Sequence, residues 1–313
     1  MQTAPFRQLP GDRLRPAQAY WVQTEDGLRI RVAHWRAQGD PRGTVLLCPG
    51  RTEYIEKYAE SADRLTAAGY EVISLDWRGQ GLSARLQDDP RPGHIDSFAQ
   101  YQHDLVEMMV AATELDLPRP WHLLAHSMGG CITLAGLHAG LEVSSAVFSA
   151  PMWGINLGRM PQGFAIGLAY LAGRVGRGGR AVFGKGGTYT LDESFSANLL
   201  TEDPGQWSRM LCEDAAWPDM TISGASFTWV KEALNECSRL SQLDAPNVPA
   251  LVSLGSEEKV VSARAIRDRV ASWPGAELLE IDGARHEVMM CLPERRAAFF
   301  DAALAHFARH SDR

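Results

Sequence analysis

A chain of 313 residues, 45% hydrophobic and 22% charged, has apolar material for one large core, or one core with an inserted cap, and needs no covalent staples. Its formal net charge of -7, with no long run of like charge, gives no basic field, so nucleic acid is excluded as an expected partner. The five cysteines, Cys48, Cys131, Cys212, Cys237 and Cys291, are odd in number and lack C-x-x-C spacing; they argue against a disulfide framework or a zinc site and read as buried thiols in a reducing, cytoplasmic setting.

The first twenty residues place Arg7, Asp12, Arg13 and Arg15 among prolines and hold no apolar run of signal-peptide length. Tyr20 to Thr24 and Leu28 to Trp35 alternate apolar and polar around Glu25-Asp26-Gly27, which predicts an opening hairpin. Then come short, nearly continuous apolar runs, Thr44 to Cys48, Glu71 to Asp76, Trp121 to Ala125 and Ser145 to Ser149, the pattern of strands covered on both faces. Helical patterns separate them: Tyr54 to Ala68 before Gly69, Ser97 to Leu115, and Met128 to His138 before Gly140. This alternation predicts an α/β fold built on a parallel sheet with helices on both sides.

After Pro151 the rhythm stops, and near Pro249 it resumes with a strand from Ala250 to Leu254, a helix from Ala263 to Ser272, a strand from Glu277 to Ile281 and a last helix from Pro293 to His310. The expected division is 1–151 and 246–313 for two parts of one core, with 152–245 inserted as a helical cap. The insertion scatters Gly158, Gly163, Gly167, Gly173 and Gly176 among Phe164, Ile166, Leu168, Tyr170 and Leu171, which predicts a mobile apolar cover. Gly173 and Arg174 break it within about 15 residues, too soon to cross a bilayer. Gly179 to Lys185 spells G-x-x-x-x-G-K, yet Gly186 stands where a phosphate-binding loop needs serine or threonine and no strand precedes it.

The chemistry starts at Leu123-Leu124-Ala125-His126-Ser127-Met128-Gly129-Gly130, where an apolar run stops at a serine and becomes small residues and a helix. A strand-to-helix turn this sharp forces its apex residue toward positive φ and lifts the hydroxyl clear of the sheet, and only small neighbours fit around it. Ser127 is the candidate nucleophile, in an A-x-S-x-G pattern with Ala125 in place of the usual glycine. A hydroxyl needs a base and an acid that orients the base. In a sheet of this kind the acid follows the strand after the insertion, where Glu257 and Glu258 are offered, and the base follows the next strand, where His286 stands. His126 must point elsewhere, and His306 and His310 lie too far along the last helix. The oxyanion of a tetrahedral intermediate needs two backbone donors. Met128, at the helix start, supplies one N–H; the other is that of Arg51, after Gly50 in the loop following Cys48.

Pro49-Gly50-Arg51-Thr52-Glu53 with Tyr58, Asp76 to Ser83, and His126-Ser127-Met128-Gly129-Gly130 resemble the α/β-hydrolase fold, and within it the lysophospholipase and monoacylglycerol lipase group. Asn198 to Asp203 is similar to the cap sequence of lysophospholipases of the L2 type. The resemblance implies an eight-stranded, mostly parallel sheet and hydrolysis of the carboxylic ester of a single-chain lipid through an acyl-enzyme. It selects Glu258, by the spacing of Gly255, Glu258 and Val261, to complete a triad with Ser127 and His286. It also makes Asp76 and Arg78 structural supports. No metal or organic cofactor is needed. Arg174, Arg177, Arg180 and Lys185 form a basic cluster beside the apolar cap that fits a phosphate headgroup or the inner face of an anionic membrane. Related sequences include aminopeptidases, so amide hydrolysis is the alternative, with Asp192, Glu193, Asp203, Asp214 or Asp219 as an amine anchor. A third reading, a hydrolase fold that only binds, is disfavoured because all three reacting groups occur in order. The sequence sets neither headgroup, acyl length nor oligomeric state.

Overall fold

The computed structural model describes residues 1–182, 191 and 193–311; Lys185 and Asp192 lie outside them. Strands β1 (Gln2–Ala4), β2 (Gln18–Gln23) and β3 (Arg29–Trp35) run antiparallel at one edge, and β3 pairs antiparallel with β5 (Glu71–Asp76). Strands β4 (Thr44–Cys48), β6 (Trp121–His126), β7 (Ser145–Ser149), β8 (Ala250–Gly255) and β9 (Ala276–Ile281) continue the sheet in parallel with β5. The order is β1-β2-β3-β5-β4-β6-β7-β8-β9. The sheet therefore has nine strands, not the eight predicted. The extra one, β1, buries only Ala4 and pairs through its backbone, so no apolar run announces it.

The central strands are buried on both faces because helices cover each side. Leu46, Ile73, Leu123, Phe148 and Val252 face α2 (Tyr101–Glu114) and α3 (Met128–His138), while Val45, Leu47, Val72, Leu124 and Val147 face α1 (Ala59–Ala67) and α8 (Pro293–Arg309). Adjacent residues point to opposite layers, so the strand period of two is hidden in a continuous apolar run. A 3₁₀ turn, Ile55–Tyr58, leads into α1. Another, Phe98–Gln100, leads into α2, and there Ser97 and Gln100 form a capping box. A shorter helix, α7 (Ala263–Ala271), links β8 to β9.

Asp76, fully buried at the end of β5, accepts from Arg31 Nε (2.8 Å), the Ile55 N–H (2.9 Å) and the Leu82 N–H (2.8 Å). Arg78 donates to Asp104 at 2.8 Å and Asp26 at 2.6 Å. Both side chains are consumed in holding the 76–83 turn, which leaves neither free for chemistry.

Between β7 and β8 lie α4 (Gln162–Arg174), α5 (Pro204–Ala216) and α6 (Phe227–Ser241). Helix α6 joins the core through Trp229, Ala233, Cys237 and Leu240. Helix α5 starts on Asp203, whose carboxylate accepts the N–H groups of Gly205 (2.7 Å) and Gln206 (3.2 Å). Helix α4 is inverted for a globular protein. It buries Ala165, Ala169 and Ala172 and exposes Phe164, Tyr170 and Leu171. Four cysteines are buried, but Cys212 is exposed, correcting the expectation that all five are buried thiols. It falls off the Trp207, Met210, Asp214 stripe that α5 turns inward. Among the described residues no helix is long and apolar enough to cross a membrane.

Candidate active site

Strand β6 ends at His126 and α3 begins at Met128, so one residue makes the whole turn. Ser127 does it with φ 46° and ψ -115°, a conformation that costs an L-residue about 1–3 kcal/mol. Its N–H donates to the Ser149 carbonyl at 3.0 Å, and its carbonyl accepts the Met152 N–H at 2.8 Å, pinning the strained turn from both sides. The small neighbours are required by approach distance. A Cβ on Gly129 would lie 2.5 Å from the carbonyl oxygens of Cys48 and Pro49, and one on Gly130 would lie 2.6 Å from the Pro151 side chain. The methyl of Ala125 is fully buried and is accommodated inside β6.

The register aligns the carboxyl ends of β4, β6, β7, β8 and β9, so their following loops meet above one rim. There the imidazole of His286 lies with Nε2 2.9 Å from Ser127 Oγ and Nδ1 2.7 Å from Glu258 Oε2. A carboxylate at Nδ1 fixes the tautomer that leaves the Nε2 lone pair toward the hydroxyl. The other oxygen of Glu258 accepts the N–H groups of Val260 (2.6 Å) and Val261 (3.0 Å). Burial alone would raise the Glu258 pKa, but His286 and the two backbone donors outweigh it and hold the carboxyl below its ordinary value. Glu257, the neighbour the loop also offers, is exposed and faces Lys259 at 3.8 Å. The structure thus brings Ser127, Glu258 and His286 together and leaves Glu257 outside. His306 lies at the other end of the sheet, 3.4 Å from the Pro249 carbonyl.

The amide of Gly50 is occupied by the Glu53 carboxylate, while the N–H groups of Arg51 and Met128 have no acceptor among the described residues. These are the two donors expected for an oxyanion. The loop that presents Arg51 rests on a buried charge cluster that the sequence reading misses. Lys57 Nζ donates to Glu53 at 2.5 Å and Glu287 at 2.7 Å, and Tyr58 Oη donates to Glu53. His126 turns its Nδ1 to the Ser149 carbonyl at 3.0 Å and its Nε2 toward Glu287 at 3.3 Å. Burial opposes the charge on Lys57 and on His126, yet the carboxylates of Glu287 and Glu53 outweigh it and raise both pKa values. Glu287 is held well below its ordinary value against burial, by Lys57 and His126. One ammonium therefore ties the loop carrying Arg51 to the loop carrying His286. The donor atoms of Glu53, His126 and Glu287 lie within 4.8 Å of one another, as a metal site would need, but Lys57 already supplies positive charge there. The i, i+4 spacing of Glu53 and Lys57 is visible in the sequence; nothing there announces Glu287.

Ser127, His286 and Arg51 open on a cavity of about 380 Å3 whose walls include Met152, Ile155, Leu199, Leu200, Trp229 and Val261. The segment Asn198 to Asp203 joins the insertion between β7 and β8 to the histidine loop. The Glu287 N–H donates to the Leu200 carbonyl at 2.8 Å, and Arg285 donates to the carbonyls of Asn198 (2.9 Å) and Thr201 (3.0 Å). Arg174, at the end of α4, and Arg177 and Arg180 beyond it are exposed, and none lines this cavity. Of the acids named as amine anchors, Asp203 caps α5, Asp219 pairs with Arg7 at 2.6 Å, and Asp214 lines a small adjoining cavity that shares Thr52 and Leu200 with the larger one. Glu193 lines neither cavity.

A family model described as serine aminopeptidase, S33 (Hydrolase_4), matches residues 39–290. The chain is 33% identical to lysophospholipase L2 of Escherichia coli (strain K12), over 95% of this chain and 91% of that protein. It is 27% identical to a monoacylglycerol lipase of Mycolicibacterium smegmatis, over 84% of this chain and 87% of the relative. Among solved structures, a soluble variant of the Saccharomyces cerevisiae monoglyceride lipase in complex with a substrate analog superposes with a TM-score of 0.73 at 18% identity, covering 98% of this chain and 99% of that one. The last comparison shows the α/β-hydrolase fold.

Proposed function

We propose that this chain, which belongs to the α/β-hydrolase family described as serine aminopeptidase, S33, is a serine ester hydrolase that cleaves the acyl ester of a single-chain lipid, a lysophospholipid or a monoacylglycerol. The observation that carries the reading is His286, hydrogen-bonded to Ser127 at one nitrogen and to Glu258 at the other, on a cavity walled largely by apolar side chains. Ser127 attacks the acyl carbonyl as His286 takes its proton, and the positioned base is worth about 10²–10⁴-fold. Glu258 orients the ring and stabilises the imidazolium. The N–H groups of Arg51 and Met128 receive the oxyanion, at about 3–4 kcal/mol each if removed. His286 then protonates the leaving alcohol and activates water for deacylation. None of these steps calls for a metal or organic cofactor.

Residues 152–245 act as the cap. Its outward face carries Phe164, Tyr170, Leu171 and Val175 beside Arg174 and Arg177, an apolar surface rimmed by positive charge. That surface is suited to an anionic bilayer that it does not cross, which supports a peripheral contact at the inner face of the membrane. Amide hydrolysis on the same triad is the alternative. It is supported less well, because none of the acids named as amine anchors within the described residues is on the wall of the cavity at Ser127. A panel of lysophospholipids, monoacylglycerols and aminoacyl amides tests the reading, with fluorophosphonate labelling of Ser127 as the check on mechanism. Turnover of the lipid esters with little amide cleavage is expected; labelling elsewhere, or faster cleavage of the amides, overturns it.

A further inference from the structure

Arg51 brings to the cavity more than its amide. Its guanidinium lies on the wall with Cζ 5.0 Å from the centre of the Trp229 ring, and Nη2 donates to the Ser223 carbonyl at 3.0 Å. Nε has no hydrogen-bond partner, and among the described residues no carboxylate pairs with the group. Two fully buried arginines are matched by charge, Arg31 by Glu56 and Asp76, Arg78 by Asp26 and Asp104, while Arg269 gives its donors to the carbonyls of Leu240 and Leu243. Arg51 is held by shape instead. A Cβ on Gly93 would come 2.5 Å from its Nη2, so the glycine leaves the room the guanidinium fills.

Burial lowers the Arg51 pKa to about 10, which still leaves it cationic at neutral pH. A half-buried charge without a counter-ion carries part of the desolvation cost, and that cost is recovered when an anion arrives. Lys259, the other basic side chain on the cavity wall, is largely exposed and faces Glu257, so it offers no comparable site. Reach fits as well. About six bonds separate the Arg51 amide nitrogen from its guanidinium carbon, and about six separate the acyl carbon from phosphorus in a glycerophospholipid. An ester oxygen held by the Arg51 N–H therefore leaves the phosphate within range of the same residue's side chain.

We propose that the Arg51 guanidinium binds the phosphate of the departing headgroup, making this residue the determinant that selects lysophospholipids over uncharged monoacylglycerols. The assignment rests on the lipid-ester reading above. Beyond the Nη2–H given to the Ser223 carbonyl, the guanidinium keeps Nη1–H donors, and given to phosphate oxygens these make charge-assisted bonds that a neutral glycerol does not.

The test compares kcat/KM for a lysophosphatidylethanolamine and a monoacylglycerol of the same acyl chain. In Arg51→Gln, which keeps the backbone N–H, the ratio of the two falls about 50-fold, the size of one or two charge-assisted hydrogen bonds. Gly93→Ala, which crowds the guanidinium without altering its charge, lowers the ratio in the same direction. As a readout without turnover, calorimetry on Ser127→Ala finds glycerol 3-phosphate binding at least ten-fold tighter than glycerol or inorganic phosphate, and adding Arg51→Gln removes the difference. An unchanged ratio in folded Arg51→Gln, or glycerol 3-phosphate binding no tighter than glycerol, overturns the proposal. Inorganic phosphate binding as tightly as glycerol 3-phosphate makes this a free-phosphate site and overturns the headgroup assignment. Failure of the lipid-ester reading looks different: wild-type protein would cleave neither lipid whatever the calorimetry shows.

Discussion

In β6 every side chain from Trp121 to His126 is buried, whereas α4, in the insertion between β7 and β8, buries three alanines and leaves Phe164, Tyr170 and Leu171 in solvent. Burying a leucine or phenylalanine contributes about 1.5–3 kcal/mol, and an alanine much less, so the sheet is held far more firmly than α4. The strongly held part carries the groups that must stay within hydrogen-bond distance. The weakly held part keeps its large apolar side chains for something other than its own core. Rigidity lies with the triad, and the uncovered apolar surface is the part to which the proposed lipid contact is assigned.

That contrast can be broken most severely at the elbow. Ser127→Ala is expected to lower kcat/KM for a monoacylglycerol on the order of 10⁴ to 10⁶-fold while the thermal melt stays near that of the wild type; a loss of less than about ten-fold would overturn the assignment of the nucleophile. Glu258→Gln should cost about 10³–10⁴-fold in kcat, and Glu258→Asp far less. Because the folded-state pKa of Glu258 is depressed, its stabilisation is present above the ordinary carboxylate value of about 4.3 and is lost as pH falls through the lower folded value. Denaturant midpoints measured from pH 6 down to 3 should therefore fall more steeply for the wild type than for Glu258→Gln.

Smaller effects separate the two regions by stability. Lys57→Met strips the ammonium from buried Glu53 and Glu287 and should cost about 3–5 kcal/mol in urea unfolding. Leu124→Ala, in the middle of β6, should cost about 2–5 kcal/mol by leaving a cavity. By contrast, Phe164→Glu with Leu171→Glu should change stability by about 0.5 kcal/mol or less. The pair should nevertheless lower turnover of vesicle-borne lipid relative to a water-soluble short-chain ester by about ten-fold, measured on anionic vesicles. A cap variant as destabilising as Leu124→Ala would erase the distinction between the regions.

Much of the sheet is readable from the chain because its strands are continuous apolar runs between glycines and prolines. Thr44–Cys48, Ser145–Ser149 and Met128–His138 begin and end where the pattern puts them. Strand β1 is not readable, since Gln2 and Thr3 are exposed and its pairing is made by the backbone. Cys212 is misread because its exposure depends on the phase of α5 against its neighbours. Glu258 and Glu257 are adjacent and chemically alike; the spacing of Gly255, Glu258 and Val261 in the family resemblance selects Glu258, and the loop geometry gives the physical reason, with Val260 and Val261 donating to it.

The sequence by itself determined the local events: which runs become strands, the sharp turn at Ser127, and the order serine, acid, histidine along the chain. These follow from short-range sterics and hydrophobic period, which act within a few residues. Tertiary structure alone decided that the Arg51 guanidinium would have no carboxylate partner among the described residues and that Lys57 would bridge Glu53 to Glu287, 230 residues away. Charges on distant segments find or miss their partners only when the strands align and bring their loops to one rim, and no local pattern encodes that meeting.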